Sequence, residues 1–177
     1  MRLLNYNISN RGDAKVEIEK KYKIKRLPEK LETYTCLDIE QGYLCTEPVV
    51  RIRKMNEEYI LTYKSKTPLQ ESQYHTKISN EAEFPLTKSG YAHLRKKVDG
   101  NLIQKKRYLI PLENGLKVEL DVFRGHLEGL VFAEVEFQSV EEAIEFIPPD
   151  WFGEDVSLDK RFNNSYLSQI DKLPISL

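Results

Sequence analysis

Apolar and charged residues alternate with a period of two in seven stretches of this chain: 16–25, 49–55, 59–65, 72–84, 103–110, 116–123 and 130–137. Successive side chains of a strand point to opposite faces, so this period predicts seven strands, each with one apolar and one charged face. Asn56-Glu57-Glu58 separates one pair and Glu113-Asn114-Gly115 another, and Asn-Gly favours the positive φ of a tight hairpin turn. Sequential antiparallel pairing is the expectation. Two helices interrupt the strands. Thr87 caps the first, with Leu86 and Tyr91 at hydrophobic-staple spacing, Leu94 and Val98 continuing the stripe and Gly100 beyond its end. Ser139 and Glu142 form a capping box for the second, with Val140, Ala143, Ile144 and Ile147 as its apolar face and Pro148-Pro149 as its stop. A short helical turn near 28–32 and a helical tail over 157–170 complete the expected elements.

The charged faces carry the chemistry. Glu17, Glu19 and Lys21 share one face of the first strand, with Val16, Ile18 and Tyr22 opposite. Arg51 and Arg53 share a face, as do Lys105 and Arg107, and Lys64 sits opposite Leu61 and Tyr63. Glu81 with Glu83, Glu119 with Asp121, and Glu134 with Glu136 form acidic pairs. A solvated outer face is the ordinary fate of alternating charge. Two features of the set argue against it here. Same-sign charges about 7 Å apart on one face repel, which is tolerable only where counter-charges compensate. The stretch 129–137 is also so apolar around Glu134 and Glu136 that both its faces read as sheltered. Clustered carboxylates suit Mg²⁺ or Mn²⁺, and guanidinium and ammonium groups suit phosphate oxygens. A closed barrel of about eight strands can hold one small ligand, and an ionic lumen would hold a polyanion.

Composition narrows the setting. At 177 residues the chain has the length of one domain, with residues 1–15 read as an N-terminal extension free to form an oligomer contact, such as a homodimer, and 16–177 as a single domain. Apolar residues at 40% and charged residues at 31% describe a globular chain, and no apolar run is long enough to span a bilayer. No secretory signal is visible in the first 15 residues, so the expected compartment is the cytoplasm. A net charge of −1 argues against a general nucleic-acid binder. Cys36 and Cys45 fit neither a zinc site nor a disulfide framework. His75, His93 and His126 are isolated and are assigned no chemistry. Trp151 and Phe152 are expected to pack on the barrel exterior or close one end, and Tyr43, Tyr63, Tyr74 and Tyr108 to serve core packing.

Glu17-Ile18-Glu19-Lys20-Lys21 matches the E-x-E-x-K signature of the CYTH, or triphosphate tunnel metalloenzyme, superfamily. Arg51-Ile52-Arg53, Lys64, the acidic strand around Glu81, Lys105-Lys106-Arg107, Glu119-Leu120-Asp121 and Glu134-Val135-Glu136 follow in that family's order, and 151–156 resembles its C-terminal region. The chain is therefore similar to this superfamily, and within it to bacterial inorganic triphosphatases. The resemblance implies an α+β fold built on a closed eight-stranded antiparallel β-barrel, with helices outside and a metal-dependent triphosphatase site inside. It implies that Glu17, Glu19, Glu134 and Glu136 bind Mg²⁺ or Mn²⁺. Lys21, Arg51, Arg53, Lys64, Lys105, Arg107 and Arg161 would bind phosphates, and Glu81, Glu119 and Asp121 would be further acidic tunnel positions. Glu17, Glu19 and Lys21 are the expected catalytic residues. Glu83 shares a face with Glu81, and Lys160 competes with Arg161 for a place in the tunnel.

The expected reaction is hydrolysis of the terminal phosphate of inorganic triphosphate, because the lumen positions are nearly all charged and offer no aromatic slot for a base. Thiamine or nucleoside triphosphatase and class IV adenylyl cyclase activities share the chemistry. From a different class, a non-catalytic polyphosphate-binding module would keep the basic residues but leave the acidic pairs without a purpose.

Overall fold

The computed structural model of the chain describes residues 15–66 and 77–173. Nine strands form one sheet: β1 (Lys15–Ile24), β2 (Thr35–Thr46), β3 (Val49–Met55), β4 (Glu58–Lys66), β5 (Lys77–Pro85), β6 (Asp99–Pro111), β7 (Lys117–Arg124), β8 (Val131–Phe137) and β9 (Phe152–Asp155). Their order is β5-β4-β3-β2-β6-β7-β8-β1-β9, and β1 also pairs with β5, so the first eight strands close into an antiparallel barrel with β9 outside it. Closure removes the free edges that an open sheet would leave, and an eight-stranded barrel has a lumen only wide enough for side chains or one small ligand. The first strand therefore links β5 and β8 and meets carboxylates on one side and a lysine-bearing hairpin on the other. Among the described residues three α-helices accompany the barrel: α1 (Lys88–Arg95), α2 (Val140–Glu145) and α3 (Asn164–Leu167).

Two apolar clusters hold the barrel. One lies on its outer face, where Ile18, Tyr22, Val118, Leu120, Val135 and Phe137 pack with Ala143 of α2 and Phe152 of β9. Trp151 packs against the same cluster, as the exterior alternative for this aromatic pair requires. The second closes one end of the lumen. Ile103, Phe123 and Phe132 stand two residues from Lys105, Asp121 and Glu134, and hence on the same inward faces. Leu127, Val156, Phe162 and Leu167 pack on them and make an apolar floor beneath the charged layer. Burying side chains of this size stabilises by about 1.5–3 kcal/mol each relative to exposure.

Several local expectations hold. Thr87 accepts the Gly90 N–H at 3.0 Å as the α1 cap. Ser139 accepts the Glu142 N–H at 3.1 Å, and Glu142 returns a carboxylate to the Gln138 N–H, one residue earlier than a standard capping box. Asn56 and Gly115 take positive φ in the two predicted turns. Other expectations are corrected. Pairing is not sequential throughout: β2 joins β6 across the barrel, and β1 joins β8 and β5, because closure needs the chain ends beside each other. Strands β2 and β9 lay outside the seven predicted stretches. Helix α1 stops at Arg95, so Val98 lies beyond it and Gly100 belongs to β6. Of the predicted apolar face, Ile144 on α2 and Ile147 beyond its end are exposed, Ile147 at 87%, because a six-residue helix buries only one narrow stripe. The expected tail over 157–170 is a 3-10 turn at Lys160–Phe162 followed by α3, and the turn near 28–32 is a 3-10 turn at Leu31–Thr33. Tyr63 is 45% exposed instead of packed in a core. The expected extension 1–15, except for Lys15 at the start of β1, lies outside the described residues, as do residues 72–76 of the predicted strand, with Tyr74 and His75.

Candidate active site in the barrel lumen

The inward faces of all eight barrel strands line a cavity of about 970 Å³. The structure brings Glu17, Glu19, Lys21, Arg51, Arg53, Lys64, Glu81, Glu83, Lys105, Arg107, Glu119, Glu134 and Glu136 to this one cavity. Period-two alternation delivers them, since each strand contributes two or three inward residues and closure converges them. Among the lining residues, eight basic side chains meet eight carboxylates, so the wall as a whole is close to neutral and a polyanion entering it would bring or displace cations.

Two ionic networks divide the lumen. In the first, Arg107 donates from Nε and Nη2 to the two oxygens of Asp121, both at 2.7 Å, from Nη2 to Glu134 at 2.7 Å, and from Nη1 to Glu119. Lys105 Nζ lies 2.5 Å from Asp121, and Lys21 Nζ lies 2.9 Å from Glu134. Burial would raise the Glu134 carboxyl, but Lys21, then Arg107 and Lys105, hold it well below the usual carboxylate range. Burial pushes Lys105 down to about 8, with the Arg107 charge adding to it and Asp121 opposing. Asp121 is 0% exposed and sits behind the cavity surface as the counter-ion of two cations, so the expectation that it lines the tunnel is corrected.

In the second network, Lys64 pairs with Glu17 and lies 3.5 Å from Glu81. Arg53 donates to Glu83 at 2.8 Å, and Thr62 accepts from Arg51 at 3.1 Å while donating to Glu83 at 3.0 Å. The Nε atoms of both Arg51 and Arg53 are buried and without a hydrogen-bond partner. An unpartnered guanidinium donor in a sheltered site leaves a ready place for an anionic oxygen. Burial, then the charge of Arg51, pulls Arg53 down to about 10. Burial would also lower Lys64, but Glu19, Glu17 and Glu81 together raise it.

The acidic wall is formed by β1 and β8. Glu19 stands directly opposite Glu136 in the β-ladder, and Lys21 opposite Glu134. Burial, then the negative charge of Glu19, raises Glu17 above the ordinary carboxylate range. Like charges placed opposite one another destabilise a sheet unless a cation lies with them. Among the described residues no three His, Cys, Asp or Glu side chains converge into an all-protein cage. Magnesium requires only one or two carboxylates together with substrate phosphates, so the oxygen donors of Glu17, Glu19 and Glu136 fit such an ion. Glu134, the fourth expected ligand, is held by Lys21 and Arg107.

Arg161 does not reach the cavity. Its guanidinium is exposed and pairs with Asp159, Nη2 to Oδ2 at 2.6 Å, while the adjacent Lys160 lines the cavity instead. The lining residues that sequence reasoning missed include two on β2 and one on α3. Gln41 and Tyr43 stand on the unpredicted β2, with Gln41 Nε2 donating to Tyr43 Oη at 3.1 Å, and Tyr166 projects from α3. The alternation Leu37, Ile39, Gln41, Tyr43 was the available signal for the first two, interrupted outwardly by Gly42, where Val98 packs so closely that an added Cβ would meet it at 2.6 Å. Cys36 and Cys45 are free, in keeping with the reading that they form no disulfide.

A closed antiparallel barrel with opposed cations and carboxylates inside it is the fold of the triphosphate tunnel metalloenzyme, or CYTH, superfamily, the class that the E-x-E-x-K strand pointed to. No protein-family model matches the chain. The chain is 36% identical over 155 residues to the inorganic triphosphatase of Nitrosomonas europaea, covering 86% of this chain and 96% of that protein. It is 35% identical over 130 residues to the inorganic triphosphatase of Acetivibrio thermocellus, covering 72% and 77%. The crystal structure of the inorganic triphosphatase NE1496 superposes with a TM-score of 0.63 at 34% identity, over 87% of this chain and 95% of that one. A protein of Pyrococcus horikoshii, PH1012, shares the fold at 24% identity and a TM-score of 0.51, over 71% of this chain and 82% of that one. The chain belongs to the inorganic triphosphatase family. No described helix is long and apolar enough to cross a membrane.

Proposed function

We propose that this chain is a metal-dependent triphosphatase that hydrolyses the terminal phosphate of inorganic triphosphate inside the barrel, releasing orthophosphate and leaving pyrophosphate. The observation that carries the reading is the pair of buried guanidinium groups, Arg51 and Arg53, each with a free Nε donor, beside Lys64 and facing into a cavity whose other wall is acidic. Arg51, Arg53 and Lys64 would hold phosphate oxygens and neutralise charge developing on the transferred group, which is the main demand of phosphoryl transfer. Lys105 and Arg107 would add positive potential from the wall behind them. Glu17, Glu19, Glu134 and Glu136 would hold Mg²⁺ or Mn²⁺, which when bound neutralises phosphate charge and acidifies water. A carboxylate of the same wall would orient the attacking water or take its proton.

A second reading has a specific observation behind it. Tyr43 and Tyr166 line the cavity with Asn163 and Gln169, giving it the aromatic and amide surface that the sequence lacked, and about 970 Å³ exceeds what three phosphates need. That surface favours an organic triphosphate, such as a nucleoside or thiamine ester. Phosphate release from tripolyphosphate, ATP and thiamine triphosphate, each with Mg²⁺, with Mn²⁺ and with a chelator, separates the readings. Metal-dependent turnover highest for tripolyphosphate is the expected result. Preference for an organic substrate, cyclic AMP as product, or binding without turnover would each replace it.

The pH profile gives a further prediction. With Lys105 near 8, kcat/KM for tripolyphosphate is expected to fall above that pH, approaching about tenfold per unit, and Lys105→Arg to move that limb to higher pH. Stability should move the opposite way. The unfolded lysine binds its proton up to about pH 10, so between that pH and the folded value the unfolded state holds more protons and this group's contribution to stability rises with pH. Thermal melts alongside the rates would therefore distinguish lost wall charge from alkaline unfolding.

A further inference from the structure

We infer that Lys21 is a positioning residue that latches the C-terminal segment 156–163 to the acidic wall of the lumen and thereby fixes Glu134. Its ammonium donates to the Phe162 carbonyl at 2.8 Å and lies 2.9 Å from Glu134 Oε1. It also stands 4.4 Å from the centroid of the Phe132 ring. The main chain of the same residue holds the same segment: the Lys21 N–H donates to Ser157 Oγ at 2.9 Å, and the Lys21 carbonyl accepts the Val156 N–H at 2.8 Å. One residue therefore ties the strand to the floor through both its backbone and its side chain.

An ammonium has three N–H donors. Two of those on Lys21 are committed to oxygen and the group stands over an aromatic face, and the residue is only 4% exposed. A phosphate could take at most its third N–H without breaking one of these bonds and leaving a buried acceptor unpaired. Arg51 and Arg53, by contrast, keep a donor without a partner. The division of labour follows: the guanidinium pair is built to meet an anion, and Lys21 to set geometry. Glu134 also accepts from Arg107, which grips Asp121, so the position of the floor is passed through Lys21 to Glu134 and on to the buried network. Phe162 belongs to the apolar floor itself, which makes the latch a link between the C-terminal core and the site.

The kinetic half of the test rests on the hydrolytic reading above, and the exchange half does not. Lys21→Met, Lys21→Arg and Ser157→Ala would be made in the full chain, and backbone hydrogen exchange over 156–163 followed without substrate beside tripolyphosphate kinetics. In Lys21→Met the exchange of that segment is expected to quicken by about tenfold or more. Its kcat should fall by about tenfold with KM changed less than about threefold, and Lys21→Arg should recover much of both. A KM raised about tenfold with kcat and exchange unchanged would make Lys21 a phosphate ligand and overturn the inference. Ser157→Ala leaves every charge of the lumen in place, so it keeps the test decisive where Lys21→Met fails to fold. Faster exchange and lower kcat are expected of it, and no change in either would refute the latch. Where the wild-type chain leaves tripolyphosphate intact, the hydrolytic reading fails, and the exchange result alone decides the latch.

Discussion

Replacing Arg107 with methionine is expected to lower the stability of the barrel more than any other single change in the charged layer. The guanidinium is buried and serves three carboxylates at once: two oxygens of Asp121, one of Glu134 and one of Glu119. Burial alone would lower its pKa, but these neighbours, Asp121 foremost, raise it well above the ordinary arginine range. Removing one partner of a buried ion pair costs about 3–5 kcal/mol, because the surviving charge stays buried without compensation. For a chain of this length that corresponds to a fall in Tm of about 10 °C. Lysine at this position should recover only part of the loss, since it lacks the planar fork that meets both Asp121 oxygens. Asp121→Asn added to Arg107→Met should not restore the loss, because Asp121 still pairs with the buried Lys105, which would then lose its carboxylate. Thermal melts of the four proteins test this, and an unchanged midpoint in Arg107→Met would show that the network contributes nothing net to the fold.

That network also shows how much of the fold and site was legible before coordinates. Period two identified seven of the eight barrel strands and told which residues share a face, because pleating alone sets that relation. It could not say which face is inside. On β2 the alternation is as clear as elsewhere, with Asp38 and Glu40 opposite Leu37 and Ile39, but there the acidic face points out, where Glu40 binds Arg95 of α1 at 2.7 and 3.0 Å. Only closure of the barrel decides the sense, and closure depends on β1 meeting β5 and β8, contacts far apart in sequence. Strand β9 is four residues long and carries no alternation of its own, so its place beside β1 is set by the Phe152 ring packing 4.9 Å from Tyr22. Same-sign pairing did carry information: each of the six pairs brings at least one member to the cavity. What the pairs could not reveal was rank. Asp121 and Glu119 read alike in sequence, but Asp121 is sealed behind Lys105 and Arg107, because its strand position falls between the charged layer and the Phe123 floor. Arg161 misled for a similar reason. Adjacent residues of a 3-10 turn point in different directions, and Lys160 takes the inward one while Asp159 holds Arg161 at the surface.

Glu19→Gln is expected to cut metal-dependent hydrolysis of tripolyphosphate by about 100-fold, by analogy with the size of metal-site losses. Glu19 faces Glu136 across the ladder and stands two residues from Glu17, whose carboxyl is raised by burial and then by Glu19 itself. Glutamine keeps the shape and one oxygen but removes the charge, so the affinity for a divalent ion falls. A ligand that binds only the folded state stabilises it by about 2.7 kcal/mol at a hundred times its Kd, so wild-type protein should melt several degrees higher with saturating Mn²⁺ than with chelator. Glu19→Gln should lose most of that increment. Glu40→Gln is the matched control: it discharges a carboxylate held down to about 2 by its hydrogen bond from Arg95, on the outer face, and should leave both activity and the Mn²⁺ increment intact. Wild-type rates in Glu19→Gln, or an undiminished Mn²⁺ increment, would remove this carboxylate from the metal site and shift the assignment to Glu17 and Glu136.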